Sequence, residues 1–119
     1  FLGGITVCDS KQTISVTSNT QLITGTSGRH VYICALNLVV AAATNVALVS
    51  GTGSTCATGI AGMAGGTTAA TGWNFAANGG PAQGSGIGWI LRTGATGDNV
   101  CILVSAANQT SGVLSYAIY

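Results

Sequence analysis

Apolar positions in this chain come in short bursts of four to ten residues, and within most bursts they alternate with a period of two. That spacing predicts β-strands, whose side chains point to opposite faces in turn. The longest burst, Val31–Val40, has Tyr32, Cys34, Leu36, Leu38 and Val40 on one parity and Val31, Ile33, Ala35, Asn37 and Val39 on the other. Both sets are largely apolar, which predicts a central strand with the core on one face and further packing on the other. Asn37 interrupts its set, and a buried amide needs partners. Val31, Ile33, Asn37 and Val39 are therefore the expected surface for a neighbouring subunit.

Other bursts predict shorter strands at residues 1–9, 14–17, 21–24, 45–50, 60–63, 72–76, 86–93, 100–105 and 113–119. Between them lie turn clusters such as Thr26-Ser27-Gly28, Gly51-Thr52-Gly53 and Asn78-Gly79-Gly80-Pro81. Residues 56–71 are rich in Ala, but their glycines oppose a helix. Eight to ten short strands with no significant helix predict one all-β domain over residues 1–119, a two-sheet antiparallel sandwich. Jelly-roll and Ig-like topologies both fit this pattern.

Composition narrows the function classes. Only Asp9, Lys11, Arg29, Arg92 and Asp98 carry charge, 4% of the chain against about 25% in an average soluble protein. Gly, Ala, Ser, Thr and Asn take their place. Three scattered cations supply neither the basic footprint of a nucleic-acid binder nor a polybasic membrane patch. The longest apolar run, residues 38–43, is far short of the roughly 20 residues that span a bilayer. The sequence opens at Phe1 with no charged leader and apolar core, so no signal peptide is visible and a processed or partly covered chain is expected.

Cys8, Cys34, Cys56 and Cys101 form an even set in a short chain, which favours two disulfides and an oxidising location over free thiols. Three pairings are open. Cys34 and Cys101 lie mid-strand in the two most apolar runs, as do the cysteines that bridge the sheets of Ig-type sandwiches; that would leave Cys8 for Cys56. Zinc fits poorly, because no C-x2-C pair occurs and His30 is the single histidine.

No catalytic set is apparent. His30 has no carboxylate at a spacing that would orient it, since Asp9 and Asp98 both sit in turns. Two carboxylates are too few for a calcium loop. No cofactor is expected. Trp73 and Trp89, with Phe75, could form an aromatic platform for a host-surface glycan, although large aromatics more often fill cores. Asn108-Gln109-Thr110 matches a glycosylation sequon in a chain rich in both residue types.

Several stretches together resemble a known class. V-Y-I-C precedes A-T-N-V-x-L-V-x-G-T-G-S-x-C, then A-A-N-G-G, G-S-G-I-G, L-R-T, G-D-N-V-C-I-L-V-S-A-A and S-G-V-L-S-Y. The whole resembles small β-sandwich domains of tailed-phage virion proteins, of the capsid decoration (cement) or fibre-associated kind. The likeness spans residues 31–119 and is one of overall pattern. It implies a non-enzymatic structural protein on a virion surface, a homo-oligomer and most often a trimer, with partners such as the major capsid protein. An extracellular filament or surface-layer subunit, and a glycan-binding adhesin module, fit the same composition.

Overall fold

The computed structural model describes residues 7–84 and 88–119. Ten strands form among them: β1 (Ser10–Val16), β2 (Thr20–Ile23), β3 (Val31–Val40), β4 (Thr44–Thr52), β5 (Thr58–Ala64), β6 (Trp73–Phe75), β7 (Ala82–Gly84), β8 (Leu91–Arg92), β9 (Asn99–Val104) and β10 (Thr110–Ile118). Sheet I has the order β1-β10-β3-β7, with β8 also on β3; sheet II has the order β2-β9-β4-β5, with β6 also on β4. Every pairing is antiparallel.

β7 and β8 occupy successive lengths of one edge of β3, and β6 and β5 do the same along β4. If each such pair counts as one strand position, the first, eighth, third and sixth positions make sheet I. The second, seventh, fourth and fifth make sheet II. That is the strand order of a jelly roll, two sheets wrapped from interlocked Greek keys, and it decides between the two topologies the sequence allows.

Ile14, Val31, Ile33, Leu36, Leu38, Val40, Val46, Leu48, Val100, Ile102 and Leu114 fill the space between the sheets. A thinnest dimension of 19 Å agrees with two layers about 10 Å apart plus their outward side chains.

The alternation in β3 is broken at Cys34. Ser115 of β10 pairs with Ala35, but the next residue, Tyr116, pairs with Ile33, so Cys34 is the extra residue of a β-bulge. Before the bulge odd positions face the core, and after it even positions do. The expected outer set of Val31, Ile33, Asn37 and Val39 is therefore not one surface. Val31 and Ile33 lie fully inside the core, while Asn37 and Val39 face outward. The two apolar parities of β3 are one apolar face that changes register.

Two-faced burial belongs to β4 instead. Val46 and Leu48 join the central core, and Ala47 and Val49 join Cys56, Cys101 and Leu103 in a second cluster outside sheet II. The cover is the chain's own segment after β4: a 3-10 turn at Ser54–Cys56, which places Cys56 in the cluster, and a second 3-10 turn at Ala69–Thr71 whose Ala69 packs on it.

The expected sheet-to-sheet disulfide is absent. Cys8 bonds to Cys34 and Cys56 to Cys101. Cys101 lies between the core-facing Val100 and Ile102 on β9, so it points out of the sandwich, and the bulge removes Cys34 from the core. Each bridge staples a local segment to the outside of its own sheet.

Three strand assignments also change: β7 at Ala82–Gly84 forms where no strand is expected. The first predicted strand lies outside the described residues up to residue 6, and Val7, Cys8 and Asp9 belong to no strand. The predicted strand at 86–93 is reduced to Leu91–Arg92; residues 85–87 are not described, and Gly88 has a left-handed φ of 75° that ends extended pairing there.

Candidate functional site

The outer face of sheet I carries two distinct surfaces along the length of β3. Registers place them row by row. Ser15, Ser111 and Val39 form one row; Thr13, Val113, Asn37 and Ala82 the next; Lys11, Ser115, Ala35 and Gly84 the third. These side chains are mostly small and neutral, with hydroxyls at Thr13, Ser15, Ser111 and Ser115. Lys11 is the single charge, at the rim. Val39 is 51% exposed, high for a valine in a central strand. A shallow hollow of about 350 Å³ lies over the second and third rows, lined by Lys11, Ala35, Asn37, Gln83, Val113 and Ser115 among others. The close approach of β10 to β3 requires Gly112, where a Cβ would collide with the Asn37 carbonyl. Beyond β1, the sheet's outer edge has no partner strand among the described residues.

At the other end of β3 the face becomes aromatic. Tyr32 pairs with Arg92 of β8 and with Ala117 of β10. Trp89, Tyr119 and His30 surround Tyr32 with ring centroids 5.5, 6.1 and 6.1 Å away, each near perpendicular to it at 64°, 65° and 72°. The Arg92 guanidinium stands 5.9 Å from the Trp89 ring centroid. Tyr119 donates its hydroxyl to the Val7 carbonyl at 3.2 Å. The bulge builds this corner: by shifting the parity of β3 it turns Tyr32 outward, on the same face as Val39.

His30 has a structural role here. Its Nδ1 lies 3.1 Å from the Thr93 carbonyl and 3.4 Å from the Thr93 hydroxyl, so the ring is tied to the residue that follows Arg92. No carboxylate contacts the ring among the described residues. Asp98 is buried, and its Oδ2 accepts the Ala95 N–H at 3.1 Å, closing a turn. Among the described residues, Asp9 accepts from the neighbouring Ser10 hydroxyl alone. No group of three or more His, Cys, Asp or Glu side chains suited to a metal ion occurs among the described residues. Asn108 spends its amide nitrogen inside the fold, donating to the Ala43 carbonyl and the Thr44 hydroxyl at 3.2 and 2.9 Å, and Thr110 of the same sequon is fully buried.

The two tryptophans do not form one platform. Trp73 belongs to sheet II, where β6 pairs with β4; it packs against the core and lies 5.8 Å from Phe75. Trp89 belongs to the corner of sheet I and is 39% exposed. Sequence reasoning singled out Trp89 but not Tyr32, Arg92 or Tyr119 as its neighbours. They lie far apart in the chain, and only the β3–β8 and β3–β10 registers bring them together.

A second open hollow, of about 400 Å³, lies at the other end of the sandwich between the β1–β2 turn and residues 104–107. Its lining is Thr17, Ser18, Asn19, Val104, Ser105, Ala106 and Ala107, with no acid, base or nucleophile beyond two serines and a threonine. Among the described residues, no helix is long and apolar enough to cross a membrane. No family model, curated protein or solved structure matches the chain.

Proposed function

We propose that this domain is a non-enzymatic structural subunit on the surface of a virus particle, a capsid decoration or fibre component that works through repeated contacts with copies of itself and with other particle proteins. The observation that carries this reading is the small-residue outer face of sheet I, nearly uncharged and bearing the exposed Val39 beside Asn37 and Val113. Charged side chains normally keep such a face in water and guard the strand edges beside it. Here one lysine serves both the face and the β1 edge. Covering the face with a second copy requires no buried charge to be desolvated, and charge-poor centres are what protein interfaces have.

The chain exposes 5559 Å², so a standard contact of about 800 Å² per partner would cover a minor share of it. Two further observations support the setting. Two disulfides in so short a chain suit an oxidising, extracellular location. The jelly roll is an architecture that viral capsid domains use, although it also serves lectins and other proteins, so it favours the reading without carrying it.

Imaging native particles that contain the chain by electron microscopy is the test. The expected result is copies in closed symmetry on a particle surface, touching through the face that bears Val39. Open helical filaments without particles would replace the reading with a filament or surface-layer subunit. Isolated monomers in the culture fluid would end both.

A further inference from the structure

We propose that the corner formed by Tyr32, Trp89, Arg92 and Tyr119 binds an acidic saccharide, with Trp89 meeting the apolar face of a sugar ring and Arg92 meeting its carboxylate. The corner lies seven residues along β3 from Val39, roughly 20 Å. The inference therefore does not depend on the assembly face.

Shape is the first support. Large apolar side chains exposed in isolation carry no message, whereas a cluster of them marks a binding site. Trp89 and Tyr119, each 39% exposed, flank the same residue, Tyr32, and Val7, 56% exposed, is tied to Tyr119 by a hydrogen bond. Tryptophan and tyrosine give large, flat contact area at little cost in rotamer freedom. The corner is also held firmly. Arg92 is paired in register with Tyr32, and Ile90 donates its N–H to the Ile33 carbonyl at 2.7 Å. One residue further on, Thr93 is fully buried and bonded to Val31 through both its backbone and its hydroxyl.

Charge is the second support and sets the ligand class. In a chain with three cations, Arg92 is in the corner and Arg29 directly precedes His30, whose ring touches both Tyr32 and Thr93. Arg92 is exposed and makes no ion pair among the described residues. Guanidinium and carboxylate match in a two-pronged, charge-assisted geometry. A neutral sugar would leave that group unused. Single-stranded nucleic acid would also stack on Trp89, but it demands a basic track along its phosphates, and two arginines do not make one.

The test is titration of the purified chain with trigalacturonic acid, sialyllactose, neutral maltotriose and a short oligothymidylate, followed by the NMR signals of the two indole N–H groups. At least one acidic sugar is expected to shift the Trp89 signal saturably while the Trp73 signal stays in place. Arg92→Gln is expected to weaken that binding about tenfold or more, as loss of a charge-assisted hydrogen bond does. Trp89→Ala is expected to abolish it, with the Trp73 signal reporting that the variant is folded. Arg92→Gln changes an exposed side chain and keeps the test valid should Trp89→Ala not fold. No shift with either acidic sugar up to about 10 mM would overturn the proposal. So would maltotriose binding equally well, oligothymidylate binding more tightly than the sugars, or affinity unchanged in Arg92→Gln.

Discussion

Val31 and Thr93 hold each other at both ends: the Val31 N–H donates to the Thr93 hydroxyl at 3.0 Å, and the Thr93 N–H donates to the Val31 carbonyl at 3.0 Å. Both residues are fully buried. The threonine hydroxyl substitutes for a strand carbonyl where the two-residue β8 has run out. Thr93→Val keeps the shape but leaves a buried N–H without an acceptor. A loss of roughly 1–3 kcal/mol is expected in urea denaturation, with Thr93→Ser retaining most of the stability. Because Thr93 follows Arg92 directly, the valine variant should also broaden the Trp89 indole signal while sparing Trp73.

The two disulfides should be unequal. Chain entropy alone separates a 45-residue span from a 26-residue one by about 0.5 kcal/mol in favour of Cys56–Cys101. Cys56 and Cys101 are also fully buried in the cluster outside sheet II, whereas Cys8 and Cys34 are only partly buried. Replacing Cys56 and Cys101 together by alanine is expected to cost about 3–5 kcal/mol. Replacing Cys8 and Cys34 should cost less. Paired denaturation curves check the order, and peptide mapping without reduction checks the connectivity.

Strain should be releasable beside the buried bridge. Thr55 and Cys56 both adopt left-handed φ, at 50° and 60°, a region that disfavours side chains with a Cβ. Thr55→Gly removes that penalty and adds some disorder to the unfolded chain. A net gain of roughly 0.5 kcal/mol is expected in thermal unfolding, and a loss would contradict the strain assignment.

Gly112 should tolerate nothing larger. A Cβ there would clash with the Asn37 carbonyl oxygen across the β10–β3 pair. Gly112→Ala is expected to cost about 2 kcal/mol or more by forcing the two strands apart. The same change at Gly28, with open space around it but φ of 76°, should cost about 1 kcal/mol, from conformation alone.

Much of the sandwich was legible because strand periodicity is local. Leu36, Leu38 and Val40 announce a core face, as do Val100 and Ile102, and the Gly-rich turns announce where each strand stops. The bulge at Cys34 was not legible. It depends on how β10 registers against β3, and a one-residue slip exchanges the faces of all that precedes it. Reading β3 as unbroken sent Val31 and Ile33 outward, and it put Cys34 in the core beside Cys101. The aromatic corner was hidden for the same reason: Tyr32 shares a parity with Leu36 in the sequence and a face with Val39 in the fold. The apolar excess of β4 was visible in Ala47 and Val49. Nothing local says that the cover over them is the chain's own next segment, pinned by Cys56.

The assembly face is tested most directly by sedimentation of the purified chain beside Val39→Lys. Val39 is half-exposed in the single subunit, so the lysine should leave its folding stability within about 0.5 kcal/mol. In the assembly it would bury a charge without a partner. The wild-type chain is expected to sediment as a closed oligomer of 11.6 kDa subunits, a trimer by preference, and the variant as a folded monomer. A wild-type chain that stays monomeric at about 100 µM, or an oligomer indifferent to Val39→Lys, would contradict the account.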